Sequence, residues 1–145
     1  MLGSASPIYE IVSGQIKLGK NAEFAKAHEE ILLPICKDSN IEIVLMLVTE
    51  TGMYGHFYNI YRYNTLKSYG ENTDAFIKDT RVSSYFAKLM DCIDGPLQVE
   101  LATDLISHKK LVSTAVMANG TSNGNDNGSA SASKRLKNET KQISY

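Results

Sequence analysis

Hydrophobic and polar positions alternate along Ile8–Leu18 (IYEIVSGQIKL), a stretch rich in β-branched residues. That period of two predicts a first strand, with Gly14 leaving space above the sheet. The spacing then changes: Phe24, His28, Ile31 and Ile35 recur at steps of four and three, one face of a helix for which Asn21 is the predicted N-cap. Pro34 falls in the last turn and leaves the carbonyl of Glu30 without its donor, so the helix should kink or loosen there before Lys37, Asp38, Ser39 and Asn40 close it. Ile41–Glu50 (IEIVLMLVTE) is apolar almost throughout, which predicts a strand covered on both faces. Thr51–Gly55 (TGMYG) supplies a two-glycine turn, and the aromatic run His56–Tyr63 (HFYNIYRY) returns as the second arm of a hairpin. A helical stretch opens at Asn64 and Thr65, is interrupted near Gly70 and resumes from Thr73 to Ile93 with a break around Asp79. Val82, Tyr85, Phe86 and Leu89 form its apolar face. Asp94, Gly95 and Pro96 stop it, and Leu97–Leu105 (LQVELATDL) alternates again as a fourth strand.

The order β, α, β, β, α, β, combined with right-handed crossovers, predicts a ferredoxin-like α+β domain. Its four-stranded antiparallel sheet should run 4-1-3-2 with helices on one face. The domain spans residues 8–111, behind an N-terminal extension of residues 1–7. From Val112 to Tyr145 Gly, Ser, Asn and Ala dominate, a composition with little to bury, and a disordered tail is predicted.

Side chains two apart on a strand share a face. One face should therefore collect Tyr9, Ile11, Ser13 and Gln15, then Phe57, Asn59, Tyr61 and Tyr63, then Leu97, Val99 and Leu101, with His28 laid towards it from the first helix. The other face, carrying Val12, Ile16, Val44, Met46, Val48, Tyr58 and Ile60, is too apolar for water. A homodimer with its two sheets face to face is predicted. Glu10, Arg62 and Glu100 also fall on that open face, where they are expected to pair with one another.

Composition narrows the function. The chain has 145 residues, 43% of them hydrophobic, and a formal net charge of -1, enough for one core. Eleven basic and fourteen acidic residues precede Val112, and four basic and two acidic follow it, with no basic stripe. Nucleic-acid binding is not expected. The start MLGSASPIYE lacks a basic, apolar leader, so no membrane segment and a cytoplasmic location are the expectations. Cys36 and Cys92 sit at helix ends among apolar neighbours and are expected to remain free thiols. The histidines and cysteines have no metal-ligand spacing, and phosphate loops and serine-nucleophile elbows are absent from the sequence.

The helix-covered face holds the candidate chemistry: an apolar box with a few polar groups, suited to a small aromatic or polyketide-like ligand. His28, an imidazole among Phe24, Ile31 and Ile35, is a candidate general base near neutral pH; its bland alternative is a core histidine satisfied by one partner. Asn59 is a candidate donor to an enolate or carbonyl oxygen, or else satisfies a buried helix end. Tyr61 joins them as a catalytic candidate. Ser13, Gln15, Tyr63 and Tyr85 are candidates for holding the substrate, although strand aromatics are commonly core. His56 reads as a rim residue and His108 as surface.

Three segments carry a family resemblance. YEIVSGQIKLGKNAEFAKAHEEILLPICK (Tyr9–Lys37) resembles the opening strand, glycine-lysine turn and proline-ended helix of NIPSNAP-like proteins. NIYRYNTLKSY (Asn59–Tyr69) is similar to their third strand and next helix, and DTRVSSYFAKL (Asp79–Leu89) to their short second-helix motif, without the tryptophan often found there. The resemblance implies a dimeric α+β barrel, a superfamily holding cofactor-free monooxygenases, polyketide cyclases, small isomerases and haem-handling enzymes. The missing tryptophan speaks against haem degradation. Three functions follow as expectations. The first is a cofactor-independent cyclase, isomerase or lyase in which His28 moves a proton; the second is a cofactor-free monooxygenase of a phenolic substrate; the third is a non-catalytic dimeric binding module.

Overall fold

The computed structural model describes residues 6–107, 110 and 111; most of the N-terminal extension and the whole of the predicted tail lie outside the described residues. The elements are β1 (Ile8–Ile16), a helical run made of α1 (Asn21–Ala27), a π turn (His28–Leu32) and α2 (Leu33–Asp38), then β2 (Glu42–Val48), β3 (His56–Tyr63), α3 (Leu66–Lys78), α4 (Val82–Cys92) and β4 (Ile93–Thr103). The sheet order is β2-β3-β1-β4 and every neighbouring pair is antiparallel, the ferredoxin-like order that the crossover rule requires. Among the described residues no helix is long and apolar enough to cross a membrane.

Pro34 shapes the first helical run. Lacking an N–H, it cannot serve the carbonyl of Glu30, and the turn before it widens: the N–H of Leu33 reaches back five residues to the carbonyl of His28. The disturbance thus lies upstream of the proline, and α2 continues to Asp38 with Pro34 in its first turn, where a missing donor is tolerated. The run ends in a Schellman motif. Asn40 takes the left-handed conformation (φ 56°), Ile41 N–H bonds Cys36 O at 2.8 Å, and Asn40 N–H bonds Lys37 O at 3.2 Å.

α3 runs unbroken through Gly70, against the predicted interruption, because its start is well capped. Thr65 Oγ1 accepts from Ser68 N–H at 3.0 Å while Ser68 Oγ accepts from Thr65 N–H at 2.9 Å. The break around Asp79 is real and separates α3 from α4. β4 begins directly at Ile93, so Asp94, Gly95 and Pro96 are strand residues and not a helix stop. Gly95, Pro96 and Leu97 stand opposite Gly14 alone, a bulge that Gly95 permits with its φ of +80°.

Directly paired residues in an antiparallel ladder share a face, so the registers decide which side chains lie under the helices. β3 points Phe57, Asn59, Tyr61 and Tyr63 there, all buried, as its alternation predicts. β1 is the other way up. Ile8, Glu10, Val12 and Gly14 pair with Tyr63, Tyr61, Asn59 and Phe57, which turns Tyr9, Ile11, Ser13 and Gln15 to the opposite face. β2 is shifted by a bulge between Ile43 and Leu45, so that Leu45 and Leu47 join Ile60 and Tyr58 on the open face while Met46 and Val48 face the helices. Both strands mix apolar residues on their two faces, and alternation within one strand cannot show which face is which. The core comprises Ile8, Ile16, Phe24, Leu32, Ile35, Phe57, Tyr61 and their neighbours. The space above Gly14 is filled, since a Cβ there would stand 3.0 Å from Phe57 Cε1 and 3.4 Å from Leu97 Cδ2.

Candidate functional site

Two polar centres lie between the sheet and the helices. The first is built on His28, which the π turn sets over β3. Its Nδ1 lies 2.8 Å from the carbonyl oxygen of Phe24; a carbonyl only accepts, so Nδ1 carries the proton and the neutral ring offers Nε2 as an acceptor. Asn59 Nδ2 donates to that Nε2 from 2.9 Å, and Tyr85 Oη approaches it at 3.3 Å. His28 and Asn59 are 4% and 2% exposed, so each supplies hydrogen bonding that water cannot. Burial holds the imidazole pKa below its ordinary value, with partial opposition from the Phe24 carbonyl, which favours the charged ring. His28 also packs on Phe24, with ring centroids 4.0 Å apart.

The second centre is a pocket of about 250 Å³ bounded by the sheet, α3 and α4. Its lining is largely apolar, including Val12, Phe76, Phe86 and Leu97, with the polar side chains Glu10, Thr73, Tyr61, Tyr63 and Tyr85. Tyr63 Oη donates to Glu10 Oε2 at 2.8 Å. Burial pushes the Glu10 carboxyl above its ordinary range, opposed by the Tyr63 hydrogen bond, and burial with the nearby carboxylate pushes the Tyr63 phenol up as well. The Cys36 thiol, also in the wall, is pushed up to about 12 by burial and by Glu10, so it is an inert hydrophobe. Among the described residues the buried Thr73 Oγ1 makes no hydrogen bond of standard geometry, although it lies beside the phenol oxygens of Tyr63 and Tyr69. Tyr85 joins the two centres, lining the pocket with its hydroxyl 3.3 Å from His28 Nε2.

His28, Asn59, Tyr61, Tyr63 and Tyr85 thus converge under the helices. Ser13 and Gln15 do not: the ladder turns them away, and Gln15 instead donates to the carbonyl of Tyr54 at 2.7 Å, clasping the β2–β3 turn. Glu10 is likewise removed from the predicted open-face cluster. Arg62 remains on that face and bonds Glu42 at 2.8 Å. Glu10 is therefore the pocket residue that alternation misplaced; its cross-strand partner Tyr61 settles its face, and a single strand carries no such signal. Cys36 and Cys92 are free and buried. Among the described residues no three His, Cys, Asp or Glu side chains gather as a metal site.

A family model described as NIPSNAP matches residues 9–95, from the second residue of β1 into the start of β4. The chain belongs to the NIPSNAP family. This NIPSNAP domain superposes on a crystal structure of a NIPSNAP family protein of unknown function from Agrobacterium tumefaciens with a TM-score of 0.62 and 22% identity, covering 70% of this chain and 91% of that one. A NIPSNAP-like domain protein from Burkholderia xenovorans gives 0.62 at 14% identity, covering 72% and 89%. A protein from Caulobacter crescentus described as a candidate antibiotic biosynthesis monooxygenase gives 0.57 at 12% identity, covering 71% and 93%. At such identities the likeness establishes the fold. No curated protein matches the chain.

Proposed function

We propose that this NIPSNAP domain is a cofactor-independent isomerase or cyclase that moves protons on a small, mainly apolar, polyketide-like metabolite held between the sheet and the helices. The supporting observation is the Tyr85–His28–Asn59 arrangement beside an apolar pocket. The carbonyl of Phe24 fixes the tautomer and leaves Nε2 as a base, the Asn59 amide orients it, and the Tyr85 hydroxyl extends it to the pocket wall. A proton given up by a ligand oxygen passes to Tyr85 Oη as the phenolic proton passes to Nε2, whose lone pair the Asn59 N–H releases while the amide turns its Oδ1 to accept from the new N–H, and the reverse transfer returns it. Tyr61 and Tyr63 line the same space and orient the ligand.

The test uses the full chain and 2-tetralone, a small enolisable ketone, in deuterated buffer. Catalysed loss of its α-proton signals is expected, with His28→Gln, which retains an acceptor for Asn59 but is a far weaker base, slowing exchange by roughly a hundredfold. Wild-type exchange no faster than buffer refutes the reading. Two structural neighbours described as candidate antibiotic biosynthesis monooxygenases motivate a second reading, oxygenation of an electron-rich ligand in the same pocket. Oxygen uptake accompanying 2-tetralone turnover would favour it over isomerisation.

A homodimer and a cytoplasmic location belong to the same proposal. The open sheet face carries Ile11, Leu45, Leu47, Tyr58 and Ile60, with Leu45 and Leu47 each 48% exposed, and a second copy would cover it.

A further inference from the structure

Glu10 is not used by the His28 relay. It projects from the middle of the sheet into a largely apolar pocket, and among the described residues its one hydrogen bond is accepted from Tyr63. Among the described residues it forms no ion pair, although a carboxylate at such a site is expected to have a cation beside it. Arg62, one strand over, points to the other face and is engaged by Glu42. The second unusual group in the same wall is Thr73, whose buried hydroxyl forms no hydrogen bond of standard geometry among the described residues, with the Tyr63 and Tyr69 phenol oxygens as its neighbouring polar groups. A carboxyl without a counter-ion and a buried hydroxyl whose bonding to its tyrosine neighbours is incomplete, in one apolar pocket, are both accounted for by a ligand that presents a removable proton to one and an oxygen to the other.

We propose that Glu10 is the carbon-directed base of this pocket: it removes a proton from the carbon beside the carbonyl of a bound ketone, whose oxygen accepts a hydrogen bond from Thr73. This deepens the proton-transfer reading above and rests on it, naming an enolisable ketone with an apolar body as the substrate class. The C–H bond breaks and an O–H bond forms on the Glu10 carboxylate. The freed electron pair moves into the carbonyl to give an enolate, whose charge Thr73 stabilises. Return of a proton from the Glu10 carboxyl, either the one removed or one exchanged with solvent there, to a different carbon of a conjugated ligand completes an isomerisation without any oxidant or reductant. Tyr63 is a positioning residue, holding one carboxyl oxygen so that the other faces the ligand. Burial, by raising the carboxyl pKa, brings Glu10 nearer the pH at which a base both accepts and returns a proton.

The experiment is 2-tetralone α-proton exchange in deuterated buffer, read by proton NMR, with ligand binding read separately by saturation transfer and folding by near-ultraviolet circular dichroism. Glu10→Gln, close in shape and still able to accept from Tyr63, is expected to bind 2-tetralone within a few-fold of wild type and to lose roughly a hundredfold or more in exchange rate. Glu10→Ala should regain part of the rate when formate is added, a response that a purely structural role would not give. Thr73→Val should slow exchange by roughly tenfold. A Glu10→Gln protein that exchanges at the wild-type rate overturns the inference and leaves the His28 reading standing. Loss in Glu10→Gln with full activity in His28→Gln retires the relay and supports Glu10. A wild-type protein that neither binds nor exchanges 2-tetralone overturns both.

Discussion

At the scale of single residues, His28 and Glu10 pull stability in opposite directions with pH. His28 has a depressed pKa, so as pH falls below the ordinary 6.5 the unfolded chain takes up a proton that the folded chain resists, and stability drops. Glu10 has a raised pKa. As pH rises above the ordinary 4.5 the unfolded chain releases a proton that the folded chain still holds, and stability drops in that direction too, until the folded value is passed. Glu10→Gln should therefore raise the melting temperature relative to wild type more at about pH 7 than at about pH 4, a comparison that thermal denaturation at the two values decides. In His28→Phe the Asn59 amide would lose its buried acceptor, so destabilisation by about 1–3 kcal/mol is expected whether or not the site is catalytic. Gly14 gives a third expectation. A methyl group there would press on the Phe57 ring, and Gly14→Ala should cost about 1–3 kcal/mol by urea denaturation. His28, Asn59 and the tyrosines were legible from spacing because a polar residue on an apolar stripe stands out. Glu10 was not, since a carboxylate on a mixed strand reads as solvent-facing until its cross-strand partner is known.

At the scale of elements, local chemistry accounts for boundaries that propensity alone blurs. Pro34 predicts a disturbance, but the structure places it one turn earlier, as the π turn that carries His28, because the orphaned carbonyl belongs to the residue four positions back. Thr65 and Ser68 start α3 firmly enough for it to run across Gly70. Thr65→Ala should accordingly destabilise the fold by about 1 kcal/mol, read as a lower urea midpoint with an unchanged slope. The bulges in β2 and β4 escape a period-two reading for a different reason. Each inserts residues against a partner strand, so it exists only in the pairing; Gly95, a helix-stop signal in the local sequence, serves the bulge with its positive φ.

At the scale of the whole molecule, the open face sets the remaining expectation. If a second copy covers it, Leu47→Glu should convert a dimer into a monomer in sedimentation velocity, since the buried charge would lack a partner, while the isolated subunit keeps its circular dichroism. A wild-type chain that sediments as a monomer over the accessible concentration range refutes the dimer. The periodicities of the chain were sufficient for the βαββαβ order, the sheet order and the buried face of β3, because those follow from local spacing and the handedness of crossovers. Which side of β1 and β2 meets the helices was decided by tertiary pairing alone. A strand apolar on both faces has two packings of similar hydrophobic gain, and the choice between them falls to its neighbours, to bulges and to the room a glycine leaves for a ring, none of which is written in the strand itself.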